Sequence, residues 1–194
     1  MLVPTRRSVL LAAPALAAAT LIQAGLPARP AIAATAHGLN RLREADAALP
    51  DISFTDSRGN AQEVADFRGQ GLVLNLWATW CPPCVAEMPA LDRLARMLAP
   101  DGILVLPLSS DRGGLPVVQA FYERTGVKAL GIWLDPRGAA GRALGARGLP
   151  TTLIIDRGGR ERARLEGDAA WDAPDFVSAI RRLVAPASRA GGAA

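Results

Sequence analysis

The chain has 194 residues, half of them hydrophobic, with 22 basic and 18 acidic side chains, two cysteines and one histidine. All the basic residues but Lys128 are arginines, spread along the chain. Three of them fall in the first 33 residues, and without those the balance is 19 to 18, which removes any electrostatic case for a nucleic-acid partner. His37 and two cysteines are also too few for structural zinc, which needs about four ligands.

At the N-terminus, Thr5-Arg6-Arg7-Ser8 precedes a 14-residue run from Val9 to Ile22 rich in Ala and Leu, and Ala31-Ile32-Ala33 supplies small residues for cleavage. Residues 1–33 read as an export signal, removed before Ala34. The paired arginines and the modest hydrophobicity favour the twin-arginine route; a general secretory signal is the alternative. The run is short of the ~20 residues that span a bilayer, which disfavours an uncleaved anchor. Residues 34–48 read as a polar lead-in, helical if anything, with Leu39, Leu42 and Leu49 at weak apolar spacing. One domain is expected over 49–186, followed by a disordered tail at 187–194.

Phe54 to Val64 is expected to form a small hairpin turning at Asp56-Ser57-Arg58-Gly59-Asn60. Leu72-Val73-Leu74-Asn75-Leu76-Trp77 is nearly all apolar, as a strand buried on both faces requires. Trp80-Cys81-Pro82-Pro83-Cys84 follows. Beyond it Val85, Met88, Leu91, Leu94, Ala95 and Leu98 recur at helical spacing, with Pro89 expected to kink the helix and Pro100-Asp101-Gly102 to stop it.

The C-x-x-C therefore lies where a helix begins. There the unpaired N–H groups and the positive end of the macrodipole stabilise a thiolate, so Cys81 is a usable nucleophile and Cys84 can resolve the mixed disulfide. A merely structural disulfide is the competing reading, although a staple gains more from closing a longer loop. Neither cysteine has the Pro-x-x-x-Thr-x-x-Cys surroundings of a peroxidase. Glu87, one turn after Cys84, has two readings as well. It is an ordinary acidic residue in the early turns of a helix, or it folds inward and burial lifts its pKa toward that of a proton acceptor. Trp80 is expected to cover the thiols and offer a partner an apolar contact, whereas Trp77 belongs to the core and Trp133 and Trp171 carry no functional signal.

Ile103 to Leu108 reads as a second buried strand, with Pro107 at its end or at an irregularity. Helical spacing returns at Val118, Phe121 and Tyr122, closed by Gly126. Thr152 to Asp156 is a further strand, and Gly158-Gly159 turns the chain into an antiparallel one at Arg160 to Leu165. Asp172 is expected to cap a final helix carrying Phe176, Val177, Ile180, Leu183 and Val184, which Pro186 ends. The alternation is that of an α/β domain with a mixed sheet.

From about Leu49 to Val184 the chain resembles the thioredoxin superfamily and, within it, the TlpA/ResA-like branch of exported thiol–disulfide oxidoreductases. The marks are the run from Leu74 to Cys84, then Glu87 and Pro89, and Gly148-Leu149-Pro150-Thr151-Thr152-Leu153-Ile154-Ile155-Asp156. The resemblance implies a thioredoxin fold with a mixed central sheet, an N-terminal hairpin and a strand-helix insertion at Ile132 to Gly145 before a cis-proline at Pro150. The Leu149 backbone beside that proline would pair with an extended substrate segment. Asn75 stands where classical thioredoxins place a buried Asp, so Glu87 would serve as the base. Cys81, Cys84 and Glu87 are then the catalytic residues, and Trp80, Leu149 and Pro150 the substrate-binding ones.

By the same resemblance the protein is a periplasmic monomer that reduces protein disulfides in cytochrome c maturation or in copper-site assembly of cytochrome oxidase. It would need no cofactor beyond the Cys81–Cys84 disulfide, and would draw electrons from a membrane thiol carrier of the DsbD/CcdA type. A DsbA-like oxidant remains an alternative. A Sco-like copper chaperone is disfavoured, since it would carry C-x-x-x-C and a downstream histidine, and none follows His37.

Overall fold

Apolar runs that must be buried on both faces set the centre of the sheet, and shorter, more polar strands flank them. The structure, a computed structural model, describes residues 38–185, so the expected signal and tail lie outside the described residues. In chain order the elements are β1 (Arg43–Ala48), β2 (Ser53–Asp56), β3 (Ala61–Glu63), β4 (Gly71–Trp77), α1 (Pro82–Leu98), β5 (Ile103–Ser109), α2 (Leu115–Thr125), β6 (Trp133–Leu134), α3 (Ala139–Ala143), β7 (Thr151–Ile155), β8 (Arg160–Glu166) and α4 (Pro174–Val184). They build one mixed sheet in the order β1-β8-β7-β4-β5-β6-β2-β3. β4, β5 and β6 run parallel, while β7 lies antiparallel to β4. This is a thioredoxin fold, with the hairpin β2–β3 and the insertion β6–α3 where the resemblance implies them.

All seven residues of β4 are buried, and they alternate between two cores. Val73 and Trp77 face Met88, Leu91 and Leu94 of α1, Phe121 of α2 and Phe176 of α4. Leu72, Leu74 and Leu76 face Phe54 of the hairpin, Leu106, Leu153 and Leu144. The hairpin turns because Asp56 Oδ1 accepts from the amides of Arg58 and Asn60, at 2.8 and 2.9 Å, and Gly59 takes a φ of 82°.

Three expectations need correction. The described part of the lead-in, residues 38–48, is not an α-helix: after a short 3₁₀ turn at Leu39–Arg41, Arg43–Ala48 is a strand that pairs antiparallel with β8. Its side chains are almost all exposed, so backbone pairing at the sheet edge, and not an apolar pattern, holds it. Pro107 lies within regular β5, opposite Asn75, and not at an irregularity. β6 pairs with β5 only at Leu108 and Ser109, so one side of the strand carries no ladder at the proline for it to break. Asp172 does not cap α4. The N-cap is Ala173, followed by Pro174 in the first turn, and Asp172 instead accepts from Arg93 Nε at 2.6 Å. α1 itself continues through Pro89 as a single helix.

Candidate active site

β4 ends at Trp77, and the chain then reaches Cys81, the N-cap of α1, with Pro82 in the first turn where a missing N–H costs nothing. Cys81 Sγ accepts the Cys84 amide at 3.4 Å, and the two sulfurs are joined as a disulfide. The pair is asymmetric. Cys84 is wholly enclosed, whereas Cys81 keeps a small exposed area and Trp80 beside it is 67% exposed. A partner sulfur can therefore approach Cys81 and not Cys84.

The turn leading into the pair is held from β5. Asp111, buried just beyond the end of that strand, accepts the Thr79 amide at 2.9 Å and the Thr79 hydroxyl at 2.6 Å, and the Ser109 hydroxyl at 2.8 Å. Ser110 adds bonds from its amide and hydroxyl to the Trp77 carbonyl, at 3.0 and 3.1 Å. Sequence reading missed this clamp; Ser109, Ser110 and Asp111 follow an apolar strand, where they pass for ordinary loop residues.

Glu87 is folded inward and only 3% exposed. Its Oε1 accepts from Asn75 Nδ2 at 2.8 Å, and Oε2 from Trp171 Nε1 at 2.7 Å and the Ala169 amide at 3.2 Å. Asn75 Nδ2 also donates to Thr152 Oγ1 at 2.8 Å. Burial outweighs these three hydrogen bonds, with the nearby Asp168 charge adding to it, and the Glu87 pKa is raised to about 7. Such a carboxyl exchanges its proton near neutral pH. Trp171, read from the sequence as functionally silent, is one of its ligands. No local pattern reveals a partner 84 residues away.

Leu149–Pro150 is a cis peptide bond at the start of β7. Pro150 is buried and its carbonyl accepts the Gly167 amide at 2.8 Å, while Leu149 is half-buried and takes part in none of the turn and loop backbone bonds. β7 pairs with β4 from Leu72 to Leu76, its first residue Thr151 lying opposite Leu76 near the redox turn. The fold thus gathers Trp80, Cys81, Cys84, Leu149 and Pro150 at one end of the sheet. Among the described residues no three His, Cys, Asp or Glu side chains cluster as metal ligands would.

Residues 44–180 match the Redoxin family. The thiol-disulfide oxidoreductase ResA of Geobacillus kaustophilus (strain HTA426) is 34% identical over 118 residues, 61% of this chain and 67% of that protein. Among solved structures, the exposed lipoprotein thioredoxin Etrx1 of Streptococcus pneumoniae strain TIGR4 is similar at 26% identity and a TM-score of 0.56, over 69% of this chain and 99% of the other. A DsbF homologue from Corynebacterium diphtheriae superposes with a TM-score of 0.59 at 23% identity, over 72% and 92% of the two chains, a likeness of fold.

Proposed function

This chain belongs to the Redoxin family and is a thiol–disulfide oxidoreductase, and from that premise we propose that it is an exported reductant of protein disulfides, with Cys81 as nucleophile. In the dithiol form the Cys81 thiolate attacks a substrate disulfide, forming a mixed disulfide and releasing one substrate thiolate, which takes a proton from water. Glu87 accepts the Cys84 proton. The Cys84 thiolate then attacks Cys81 Sγ, which re-forms the Cys81–Cys84 disulfide and expels the second substrate sulfur as a thiolate. Two electrons pass to the substrate, and a membrane thiol carrier of the DsbD/CcdA type returns them. Leu149 and Pro150 hold the substrate segment, and Trp80 gives it an apolar contact.

The observation that carries this reading is the buried Glu87 carboxyl one turn behind an enclosed Cys84, with its pKa near 7. A resolving thiol shut away from water needs an acceptor for its proton, and resolution by Cys84 is the step that makes reduction of a substrate productive. The substrates proposed are apocytochrome c or the copper-site cysteines of a cytochrome oxidase, reached after export directed by residues 1–33.

Two measurements test the proposal. In Cys84→Ser the mixed disulfide with a protein substrate should accumulate, since nothing displaces it; no trapped adduct would sink the role of Cys81. The reduction potential of the pair decides direction. A value near −270 mV, as in thioredoxin, supports a reductant, and one near −120 mV would make the protein a DsbA-like oxidant.

A further inference from the structure

β4, β5 and β6 run parallel and finish at the end of the sheet that carries the disulfide, so the loops that follow them meet there. Between these loops lies a groove, floored by Gly138, Gly141, Ala146 and Gly148 and walled by Ser110 and Leu149. Ser110 fixes one wall to the end of β4, four residues before Cys81, through its bonds to the Trp77 carbonyl. The other wall is the residue beside Pro150. The floor is open: a Cβ on Gly148 would meet nothing within 4 Å, and one on Gly141 only Leu76, at 3.8 Å. The groove therefore runs between Ser110, tied to the end of β4, and Leu149.

Its surroundings carry arginines that no carboxylate neutralises. Arg93, Arg160 and Arg181 are matched with Asp172, Asp46 and Asp101, while Arg58 and Arg68, away from the groove, are exposed without such a partner among the described residues. Arg142 lines the groove, and Arg112 and Arg137 stand in the same loops, within two residues of Ser110 and Gly138; all three are exposed and none reaches a carboxylate among the described residues, Arg142 donating to the Arg137 carbonyl at 2.6 Å. The acids of the same loops point inward. Asp111 is spent on Thr79 and Ser109, and Asp135 on the amides of Ala139 and Ala140 at 3.0 and 2.8 Å. Arg147, which also lines the groove, is neutralised by Glu166, and Asp168 lies close enough to Glu87 to raise its pKa.

We propose that this groove docks the substrate protein and selects a disulfide flanked by aspartate or glutamate, whose carboxylates meet Arg112, Arg137 and Arg142 while the segment's backbone runs along Leu149. The inference rests on the exchange function proposed above and adds the class of substrate. Three guanidinium groups without carboxylate partners, in the loops at the redox end of the sheet, raise the encounter rate of an acidic segment and lower that of a basic one, and salt screens both effects.

Two synthetic peptides test it, each with the same intramolecular disulfide, one flanked by four Asp and the other by four Lys. Reduced full-length protein should exchange with the acidic peptide about tenfold faster at low ionic strength, with the difference collapsing in 0.5 M salt. The triple variant Arg112→Glu, Arg137→Glu, Arg142→Glu should reverse the preference. A variant with the same charge change at the opposite end of the sheet, Arg58→Glu, Arg68→Glu, Lys128→Glu, should keep it. Serine-for-cysteine copies of both peptides, titrated against the oxidised protein by fluorescence, report docking without exchange. Equal rates and equal binding for the two peptides, with 2-hydroxyethyl disulfide still reduced, would overturn the groove and leave the exchange function standing. Selective binding of the acidic copy by a protein that reduces none of the disulfides would support the groove and overturn the exchange function.

Discussion

Glu87 is a carboxyl in the wrong solvent. Three donors favour its ionised form, yet burial lifts its pKa from 4.5 to about 7. The folded pKa thus lies above that of the unfolded chain. Whatever stability the protonated group lends is fully present below about pH 4.5 and is lost as pH rises through about 7, a change of about 3 kcal/mol. Glu87→Gln removes that titration. It should fold, because turning over the Asn75 amide presents Oδ1, which has no partner among the described residues, to the new amide nitrogen while the Gln oxygen keeps Trp171. Urea unfolding of the oxidised forms should show wild type losing about 3 kcal/mol relative to the variant between pH 4.5 and 8. Parallel pH profiles would refute the assignment. In the reduced variant the apparent thiol pKa values should shift and exchange should slow. The cysteines and Glu87 were legible because their chemistry is local, a pair at a helix start and an acid one turn on. Trp171 and Thr152 were not, since their contacts with this cluster are made across the sheet and not along the chain.

Among the elements, the β5–α2 loop grips Thr79 of the redox turn through one side chain, Asp111. Asp111→Ala would strand the buried Ser109 hydroxyl and free the Thr79 amide, costing about 2 kcal/mol. Amide exchange at Thr79 should accelerate, and disulfide exchange should slow because the segment before Cys81 loses its register. Asp111→Asn, which keeps one acceptor oxygen, should recover part of both. Unchanged Thr79 protection in the alanine variant would show that the turn is fixed by other contacts. Elements that declare themselves by apolar period were legible: β4, α1, α2 and α4 fall where their spacing put them. Those held by backbone pairing alone were not. β1 reads Arg-Glu-Ala-Asp-Ala-Ala, a sequence with no strand period, and only the exposed edge of β8 explains it. Asp172 misled for the converse reason. A good capping residue stood at the right place, and Arg93 on a neighbouring helix claimed its carboxylate.

The whole domain has a polarity that follows from its sheet. The redox turn, the cis-proline and the arginine-rimmed groove share one end, while the β2–β3 turn and the starts of β4 and β5 mark the other. The chain's own two exits obey the same polarity. Gly38 lies against Ala169, whose amide Glu87 accepts, and Arg41 grips the Glu166 and Asp168 carbonyls, so the described residues begin at the redox end. α4 finishes at Val184, packed on Gly71 at the opposite end. A bulky domain fused directly ahead of Gly38 should slow exchange with protein disulfides several-fold while sparing 2-hydroxyethyl disulfide. The same domain fused after Ala185 should spare both, and equal slowing from either attachment would contradict the polarity. Handling the protein on a surface, or wiring it into a chimera, is therefore a choice of attachment point: one after Ala185 leaves the redox end open to a partner.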